Sequence, residues 1–233
     1  MRVGPSFSNK NSKTGPVWNW SISPGVTCPG KTGWCNRFCY AKRGFVPLSY
    51  PIYRANHRIS LSHDFAEIMI YSLRRLDTPP ILRLHMSGDF YAVRYIKDWE
   101  KVADALPEWR FYGFTHSWRR RRLAPHLLFL ASLPNVSLYA STDISSGPPV
   151  EGFKESGIER CYSGDSLPCP AYKRKITCYE CGHCILGRGN VHFPIHSVSD
   201  AEQNLHNNLN YCTPMETPAG PGLPSVNKWP KRR

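Results

Sequence analysis

The sequence predicts an α/β fold, a partial (β/α)6-type barrel followed by a C-terminal cysteine-rich metal module. Three observations lead to this prediction. Strand-like apolar segments alternate with helical ones, a polar cluster follows each of the main strands, and most of the nine cysteines fall into two groups. Strand–helix alternation implies parallel pairing with right-handed crossovers. In such folds the chemistry lies at the carboxyl ends of the strands.

The elements follow in chain order. Strands are predicted at PVWNWSIS, ILRLHMSG, RFYGFTHS and NVSLYAST, with two further strands at IERCYS and NVHFPIH. Helices are predicted at HDFAEIMIYSLRRL, YIKDWEKVADAL and RLAPHLLFLASL, the first because its apolar residues recur with a helical period. The segment DISSGPPVEGFKESG is too short and too rich in Gly and Pro for a crossover helix. We therefore expect the cysteine-rich module to cover the barrel there.

The chain divides into three predicted parts. Residues 1–160 form the partial barrel with an N-terminal cysteine triad, residues 161–212 form a cysteine-rich module that completes the barrel, and residues 213–233 form a basic tail rich in Pro and Gly. Neither an apolar run of membrane-spanning length nor a signal-peptide core is found, so we expect a cytoplasmic protein. Thiols stay reduced in that compartment, which favours metal ligation over disulfides for clustered cysteines.

The charge predicts an anionic partner. Lys and Arg number 30 against 17 Asp and Glu, and 12 Tyr and seven Trp are interleaved with them. Such composition suits phosphate backbones and stacked bases, so we expect a nucleic-acid or nucleotide-like substrate. The sharpest basic run is SWRRRR, which makes Arg119, Arg120, Arg121 and Arg122 the candidate nucleic-acid-binding residues.

The first cysteine group follows the first predicted strand. Cys28, Cys35 and Cys39 lie in CPGKTGWCNRFCYAKRG with the spacing C-x6-C-x3-C. Structural zinc takes a closed set of four ligands, and a [4Fe–4S] cluster normally takes four cysteines. Three thiolates therefore predict an open, working cluster, unless a distant His or Cys completes the set.

The second cysteine group has four members and looks closed. Cys169, Cys178, Cys181 and Cys184 follow the spacing C-x8-C-x2-C-x2-C, with Cys161 upstream and His183 as an alternative ligand. These short paired spacings predict a metal site. The spacing does not distinguish structural zinc from an auxiliary iron–sulfur cluster, so both stay candidates for the metal.

Polar clusters end the other main strands. They comprise Ser87, Gly88 and Asp89, then Thr115, His116 and Ser117, then Ser141, Thr142 and Asp143. Any one of them is typical of an ordinary turn, but together they predict one functional rim. His116 and Asp143 are the candidate catalytic residues, and His196 is a further candidate ligand or active-site residue.

These motifs resemble the radical S-adenosylmethionine superfamily. A cysteine triad after the first strand of a partial barrel, with Phe38 before and Tyr40 after the last cysteine, is similar to its spore-photoproduct-lyase-like branch. The layout CNRFCYA, SGDF and LPNVSLYAST also resembles uncharacterised phage-encoded proteins described as radical-SAM-like.

The resemblance implies specific roles. The triad would hold three irons of a [4Fe–4S] cluster, and the fourth iron would bind S-adenosylmethionine. Ser87, Gly88 and Asp89 would meet its amino group, and Ser141 and Thr142 its ribose. An electron donor would supply one electron, and a 5′-deoxyadenosyl radical would act on the substrate.

Two other classes stay open. A zinc-containing nucleobase transglycosylase would use Asp89 and Asp143 as base and nucleophile, but it leaves the first triad unexplained. A non-enzymatic zinc or iron–sulfur protein that binds nucleic acid leaves the strand-end clusters unexplained.

Overall fold

One parallel sheet organises the molecule. In the computed structural model, which describes residues 4–9, 11–158, 166–173 and 176–193, seven strands pair in the order β1-β2-β3-β4-β5-β7-β6, all parallel. The strands are β1 (Trp18–Asn19), β2 (Ile81–Leu84), β3 (Arg110–Thr115), β4 (Val136–Ser141), β5 (Lys154–Ile158), β6 (Ser166–Pro168) and β7 (Asn190–Phe193).

Seven helices accompany the sheet in the described part of the chain. They are α1 (Gly33–Arg37), α2 (Tyr50–Ser60), α3 (Phe65–Leu73), α4 (Val93–Ala105), α5 (Ala124–Ser132), α6 (Pro170–Lys173) and α7 (Cys178–Cys181). Short 3₁₀ turns occupy Tyr40–Lys42, Val46–Ser49 and Ser117–Arg119.

The larger core lies between one face of the sheet and helices α3, α4 and α5. Alternation along β2 turns Leu82 and Leu84 toward these helices, where they join Phe65, Trp99 and Leu127 in one buried cluster. This apolar layer fixes the helices and, with them, the loops at the carboxyl ends of the strands.

The opposite face of the sheet is covered by the C-terminal cysteine-rich segment. Ile81 and Tyr112 point to this side and form a second buried cluster with Val17 and Ile185, against which Cys184 packs. The Ser137 hydroxyl donates to the Ile185 carbonyl across the same interface, at 3.2 Å. The segment therefore supplies the layer that a crossover helix would otherwise provide.

Most of the predicted elements are confirmed. The four main strands, the NVHF strand and the three predicted helices all occur near their predicted positions, and residues 143–153 contain no helix. The strand predicted at IERCYS begins earlier, as β5, and the rest of that motif lies outside the described residues.

The prediction missed helix α2 and strand β6, and the sheet has seven strands rather than about six. The sheet is not closed, since β1 and β6 are its two edges within the described chain, so the α/β class is confirmed and the partial barrel stays a prediction. The predicted division at residue 160, which falls between strands β5 and β6 of this sheet, also stays a prediction. The tail at 213–233 lies outside the described residues.

None of the helices in the described ranges combines the length and apolar character needed to cross a bilayer.

Candidate functional site

The first cysteine group lies in the loop that leaves β1. Cys28 accepts a hydrogen bond from the Gly25 amide at 3.4 Å, Cys35 sits in α1, and Cys39 directly precedes the first 3₁₀ turn. All three are free thiols with partial exposure. The structure thus places the triad at the carboxyl end of the sheet, where the sequence predicted it.

Burial keeps the Cys28 and Cys35 thiols protonated when no metal is bound. It raises the pKa of Cys28 to about 11, with help from the negative charge of Asp89, and raises the pKa of Cys35 to about 12, with help from Cys39 and Cys28. Binding of a metal at these thiols would therefore release protons.

Thr32 joins the triad to the end of β4. Its hydroxyl donates to Asp143 Oδ2 at 2.6 Å and accepts from the Cys35 amide at 2.8 Å, as the N-cap of α1. The other carboxylate oxygen of Asp143 accepts from the Ser145 amide at 2.8 Å. Asp143, predicted as catalytic, therefore also positions the cysteine helix.

A glycine and two arginines hold the cysteine loop against the end of β3. A Cβ atom on Gly30 would overlap the His116 carbonyl group, so only glycine allows this approach. Arg119 Nη1 donates to the Gly30 carbonyl at 2.9 Å, and Arg120 Nε donates to the Pro29 carbonyl. All four arginines predicted to bind nucleic acid are exposed, and two of them, Arg119 and Arg120, bind the cysteine loop.

Asp89 is a buried carboxylate that ties β2 to β3. Its Oδ1 accepts from the Phe90 amide at 2.7 Å and from Thr115 Oγ1 at 2.5 Å, and its Oδ2 accepts from the His116 amide at 2.9 Å. Burial nevertheless raises its pKa to about 6. Gly88 before it has a φ of 80°, and a Cβ there would lie 2.7 Å from Thr27 Oγ1.

Two polar groups beside Asp89 have no partner among the described residues. Ser87 Oγ and His116 Nδ1 are buried and make no hydrogen bond within the described chain. The pKa of His116 is lowered, mainly by burial, against the opposing charge of Asp143. A ligand on this rim would have to reach these buried atoms to form hydrogen bonds with them.

Ser141 and Thr142 are directed toward β5. The Thr142 hydroxyl donates to Glu155 Oε1 at 2.9 Å, and the Ser141 hydroxyl lies 3.5 Å from that of Ser156. The Ser141 carbonyl accepts from Trp118 Nε1 at 2.9 Å. The structure does not bring these two side chains to the cysteine triad.

The aromatic residues that flank Cys39 form part of the outer surface. Trp34 and Phe38 have ring centroids 4.1 Å apart, and the guanidinium groups of Arg37 and Arg43 lie 5.3 and 5.5 Å from the Phe38 centroid. Tyr40 is 48% exposed.

The second cysteine group gathers on the face of the sheet opposite helices α3–α5. Cys178 and Cys181 are the ends of α7, which Thr177 and Glu180 cap reciprocally, and the Cys178 amide donates to the Lys13 carbonyl at 3.0 Å. The Cys169 amide donates to the His192 carbonyl at 2.9 Å. Burial is the largest cause of a raised pKa at Cys169, Cys178 and Cys184, and the charges of neighbouring thiols add to it.

Arg83 on β2 faces this second group. Its guanidinium carbon lies 5.5 Å from the Phe114 ring centroid, and its positive charge opposes the raised pKa of Cys178 and Cys184. Arg83 has the same effect on Cys169, and a cation beside these three thiols favours their ionised, metal-ligating form. His183 Nε2, the alternative ligand, lies 3.1 Å from the Gly189 carbonyl oxygen, while Cys161 and His196 fall outside the described residues.

No group of three or more His, Cys, Asp or Glu side chains is arranged to hold a metal ion within the described ranges. In both cysteine groups the thiols influence one another's pKa, so they are neighbours. Metal binding would draw them closer together.

The sequence did not reveal three residues that build the site. Gly30, Thr32 and Arg83 act through contacts between distant segments of the chain. Only Thr32 had a local signal, because a threonine three residues before Cys35 is typical of a helix N-cap.

Comparison with known proteins decides the family. The family model described as Gene product 88 matches residues 5–155, more than half of the chain. The chain belongs to the Gene product 88 family. The matched segment includes the cysteine triad and β1 to β4, and it ends before the second cysteine group.

Two curated relatives come from mycobacteriophages. The Gene 88 protein of Mycobacterium phage L5 is 24% identical over 200 residues, which covers 72% of this chain and 82% of its own length. The Gene 88 protein of Mycobacterium phage D29 is 22% identical over 201 residues, with the same coverage. No solved structure matches the chain.

These matches correct the family assignment drawn from the sequence. Assignment to the radical S-adenosylmethionine superfamily was wrong, because the family model that matches is Gene product 88 and no radical S-adenosylmethionine family matches. The assignment rested on a cysteine triad after the first strand of a parallel sheet, an arrangement that does not by itself define a family.

Proposed function

We propose that the protein is an iron–sulfur enzyme that cleaves S-adenosylmethionine reductively. One observation carries the proposal: at the carboxyl edge of a parallel sheet, the free thiol of Cys35 lies near enough to Cys28, Cys39, Asp89 and Asp143 for all four to raise its pKa. The proposal concerns the chemistry of this rim and is independent of family membership.

The donor set fits a [4Fe–4S] cluster with one open iron. Cys28, Cys35 and Cys39 supply three soft ligands, whereas a closed cluster takes four. Such a cluster, once reduced by an external electron donor, would supply the one-electron chemistry that cleaves S-adenosylmethionine into methionine and a 5′-deoxyadenosyl radical.

The chain's own residues bind and orient the cofactor. Asp89 lies near enough to Cys28 to raise its pKa and, as an anion, would suit the amino group of S-adenosylmethionine, while Ser87, unpartnered among the described residues, would offer a hydrogen bond. His116 and Asp143 lie on the substrate side of the rim. Ser141 and Thr142 would need to turn from β5 to reach a ribose.

The C-terminal cysteines form a second metal site in this proposal. Cys169, Cys178, Cys181 and Cys184 surround the sheet face that carries Arg83, and four thiolates suit either zinc or an auxiliary iron–sulfur cluster. With this module over its second face, the open sheet would work as a partial barrel.

The substrate in this proposal is a nucleic acid or a nucleotide-like molecule, as the excess of 30 basic over 17 acidic residues supports. The expected location is the cytoplasm, where the thiols stay reduced.

Anaerobic purification followed by iron, sulfide and zinc analysis tests the proposal. With dithionite and S-adenosylmethionine, the reconstituted protein should form 5′-deoxyadenosine. The Cys35→Ala and Cys39→Ala variants should form none, while the metal of the second group is retained. Zinc without iron after reconstitution, or full cleavage by either variant, would refute it.

A further inference from the structure

We propose that residues 31–58, here called the cationic face, bind a single-stranded stretch of nucleic acid. The cationic face comprises α1, the 3₁₀ turns Tyr40–Lys42 and Val46–Ser49, and α2. The inference rests on the nucleic-acid part of the proposed function, and it requires neither the cluster nor S-adenosylmethionine.

Charge is the first support. The first 63 residues contain nine Lys and Arg and no Asp or Glu, leaving 21 basic and 17 acidic residues for the remainder of the chain. Six of the nine lie in the cationic face: Lys31, Arg37, Lys42, Arg43, Arg54 and Arg58. The first 63 residues therefore carry nine of the 13 net positive charges, and six of these nine lie in the segment that contains Cys35 and Cys39. Such a surface attracts a polyanion.

Exposed apolar side chains are the second support. Phe45 is 88% exposed, Leu48 78%, Ile52 49% and Tyr40 48%. Tyr40 and Leu48 lie on the two 3₁₀ turns, Phe45 lies on the link between these turns, and Ile52 lies on α2. The two turns pack against each other, and the second turn packs against α2. Aromatic rings among cations are the means by which proteins stack unpaired bases without reading their sequence.

A cavity beside these side chains is the third support. It has a volume of about 370 Å³ and is bordered by Ser23, Pro24, Val26, Lys42, Tyr50 and Arg54. The Tyr50 hydroxyl donates to the Ala41 carbonyl at 2.9 Å, which fixes its ring at the edge of the cavity. Ligand cavities run from about 300 Å³ upward. One nucleotide, with its phosphate near Lys42 and Arg54, suits this space.

The cationic face is favoured over the basic run at 119–122. Arg119 and Arg120 already donate to the carbonyls of Gly30 and Pro29, so they support the cysteine loop. Lys31, Lys42 and Arg43 of the cationic face also donate to oxygens of neighbouring residues. What favours the cationic face is that its cations lie among exposed rings and beside a cavity, whereas residues 119–122 are all arginines.

Binding of fluorescein-labelled DNA and RNA to the full-length protein, without S-adenosylmethionine or reductant, tests the inference. Single strands should bind more tightly than duplexes of the same sequence. The Phe45→Ala variant should weaken single-strand binding by about fivefold or more, because one base no longer has a ring to stack on. The slope of log binding constant against log salt concentration should become about 1.4 less negative in the Lys42→Ala/Arg54→Ala variant. This corresponds to about 0.7 for each phosphate that is no longer neutralised.

Matched variants serve as controls. Phe129→Ala removes an aromatic ring that is 57% exposed on α5, and Arg121→Ala/Arg122→Ala removes two exposed cations outside the cationic face. Both should bind as the unmodified protein does. Stronger duplex binding, affinity no greater than for heparin, or a larger loss in the Arg121→Ala/Arg122→Ala variant would overturn the inference. The binding experiment contains neither S-adenosylmethionine nor reductant, so a negative result does not bear on the proposed enzymatic activity. That activity is tested separately by the formation of 5′-deoxyadenosine.

Discussion

At the scale of single residues, the rim is held together by polar side chains that each serve two strands or loops. Asp89 joins the ends of β2 and β3, and Thr32 joins the end of β4 to α1. Because these groups are buried, their hydrogen bonds are costly to lose.

Replacement of Thr32 by Val should loosen the cysteine helix. The change keeps the side-chain volume but leaves an oxygen of buried Asp143 and the Cys35 amide without the Thr32 hydroxyl. We expect a loss of about 1–3 kcal/mol in the free energy of unfolding, measured with urea. Thr32→Ser keeps both bonds and should lose much less; equal stability of Thr32→Val and the unmodified protein would contradict the role of this hydroxyl.

Asp89 should make the metal-free protein less stable as the pH rises from about 4 to about 6. Burial raises its pKa from 3.8 to about 6, so across this interval the folded state holds a proton that the unfolded state has released. The stabilisation is complete below the unfolded pKa and is lost as the pH passes the folded pKa. A shift of this size corresponds to roughly 3 kcal/mol.

Urea unfolding at several pH values would measure this effect. The Asp89→Asn variant does not titrate, so its stability should fall less over the same interval. Identical pH profiles for the variant and the unmodified protein would show that Asp89 has no shifted pKa.

At the scale of elements, the sequence predicted strands and helices well where periodicity was long. Helix α4 and strand β4 were predicted because apolar residues recur along each of them with the period of a helix or of a strand, as the burial of one face requires. Helix α2 was missed because Pro51 and scattered polar residues obscure its pattern, although proline is tolerated in a first turn. Strand β6 has three residues, too few for any period.

The candidate site was predicted in part for the same reason. Cysteine spacing and strand-end positions can be read from short stretches of sequence. The sequence therefore predicted that the triad and Asp89 lie at the same edge of the sheet. The contacts of Gly30 with His116 and of Arg120 with Pro29 join segments about 90 residues apart. A single sequence carries no local signal for such contacts.

Helix α7 depends on its capping box. Thr177→Ala removes the acceptor for the Glu180 amide and should cost about 1 kcal/mol, which for a four-residue helix means local fraying. Alkylation of Cys178 and Cys181, followed by mass spectrometry, should become faster. Thr177→Ser preserves the cap and should react at the original rate; unchanged alkylation in Thr177→Ala would show that the cap does not hold these thiols.

At the scale of the whole molecule, the C-terminal segment acts as a structural layer as well as a carrier of cysteines. It covers the face of the sheet that helices α3–α5 leave open, and Ile185 is the apolar centre of that contact. Both layers are needed because each face of a parallel sheet is apolar.

Ile185→Ala should therefore destabilise the whole fold. The side chain is 1% exposed, and truncating a buried isoleucine costs about 2–5 kcal/mol. Thermal unfolding measures the loss. Ile144→Ala, at a position that is 38% exposed, is the matched control and should change little. Equal melting temperatures for the two variants would show that the cysteine-rich segment is not part of the core.

The strand order also has a consequence for synthesis. β7 lies between β5 and β6, so β6 has no neighbour in the sheet until the later strand has left the ribosome. The four C-terminal thiols lie between these two strands in the chain, and the Cys169 amide donates to the His192 carbonyl of β7. The triad, carried by the first strand, is made much earlier. A nascent chain should therefore acquire its two cysteine groups in sequence, with the N-terminal group exposed to the cell's metal supply first.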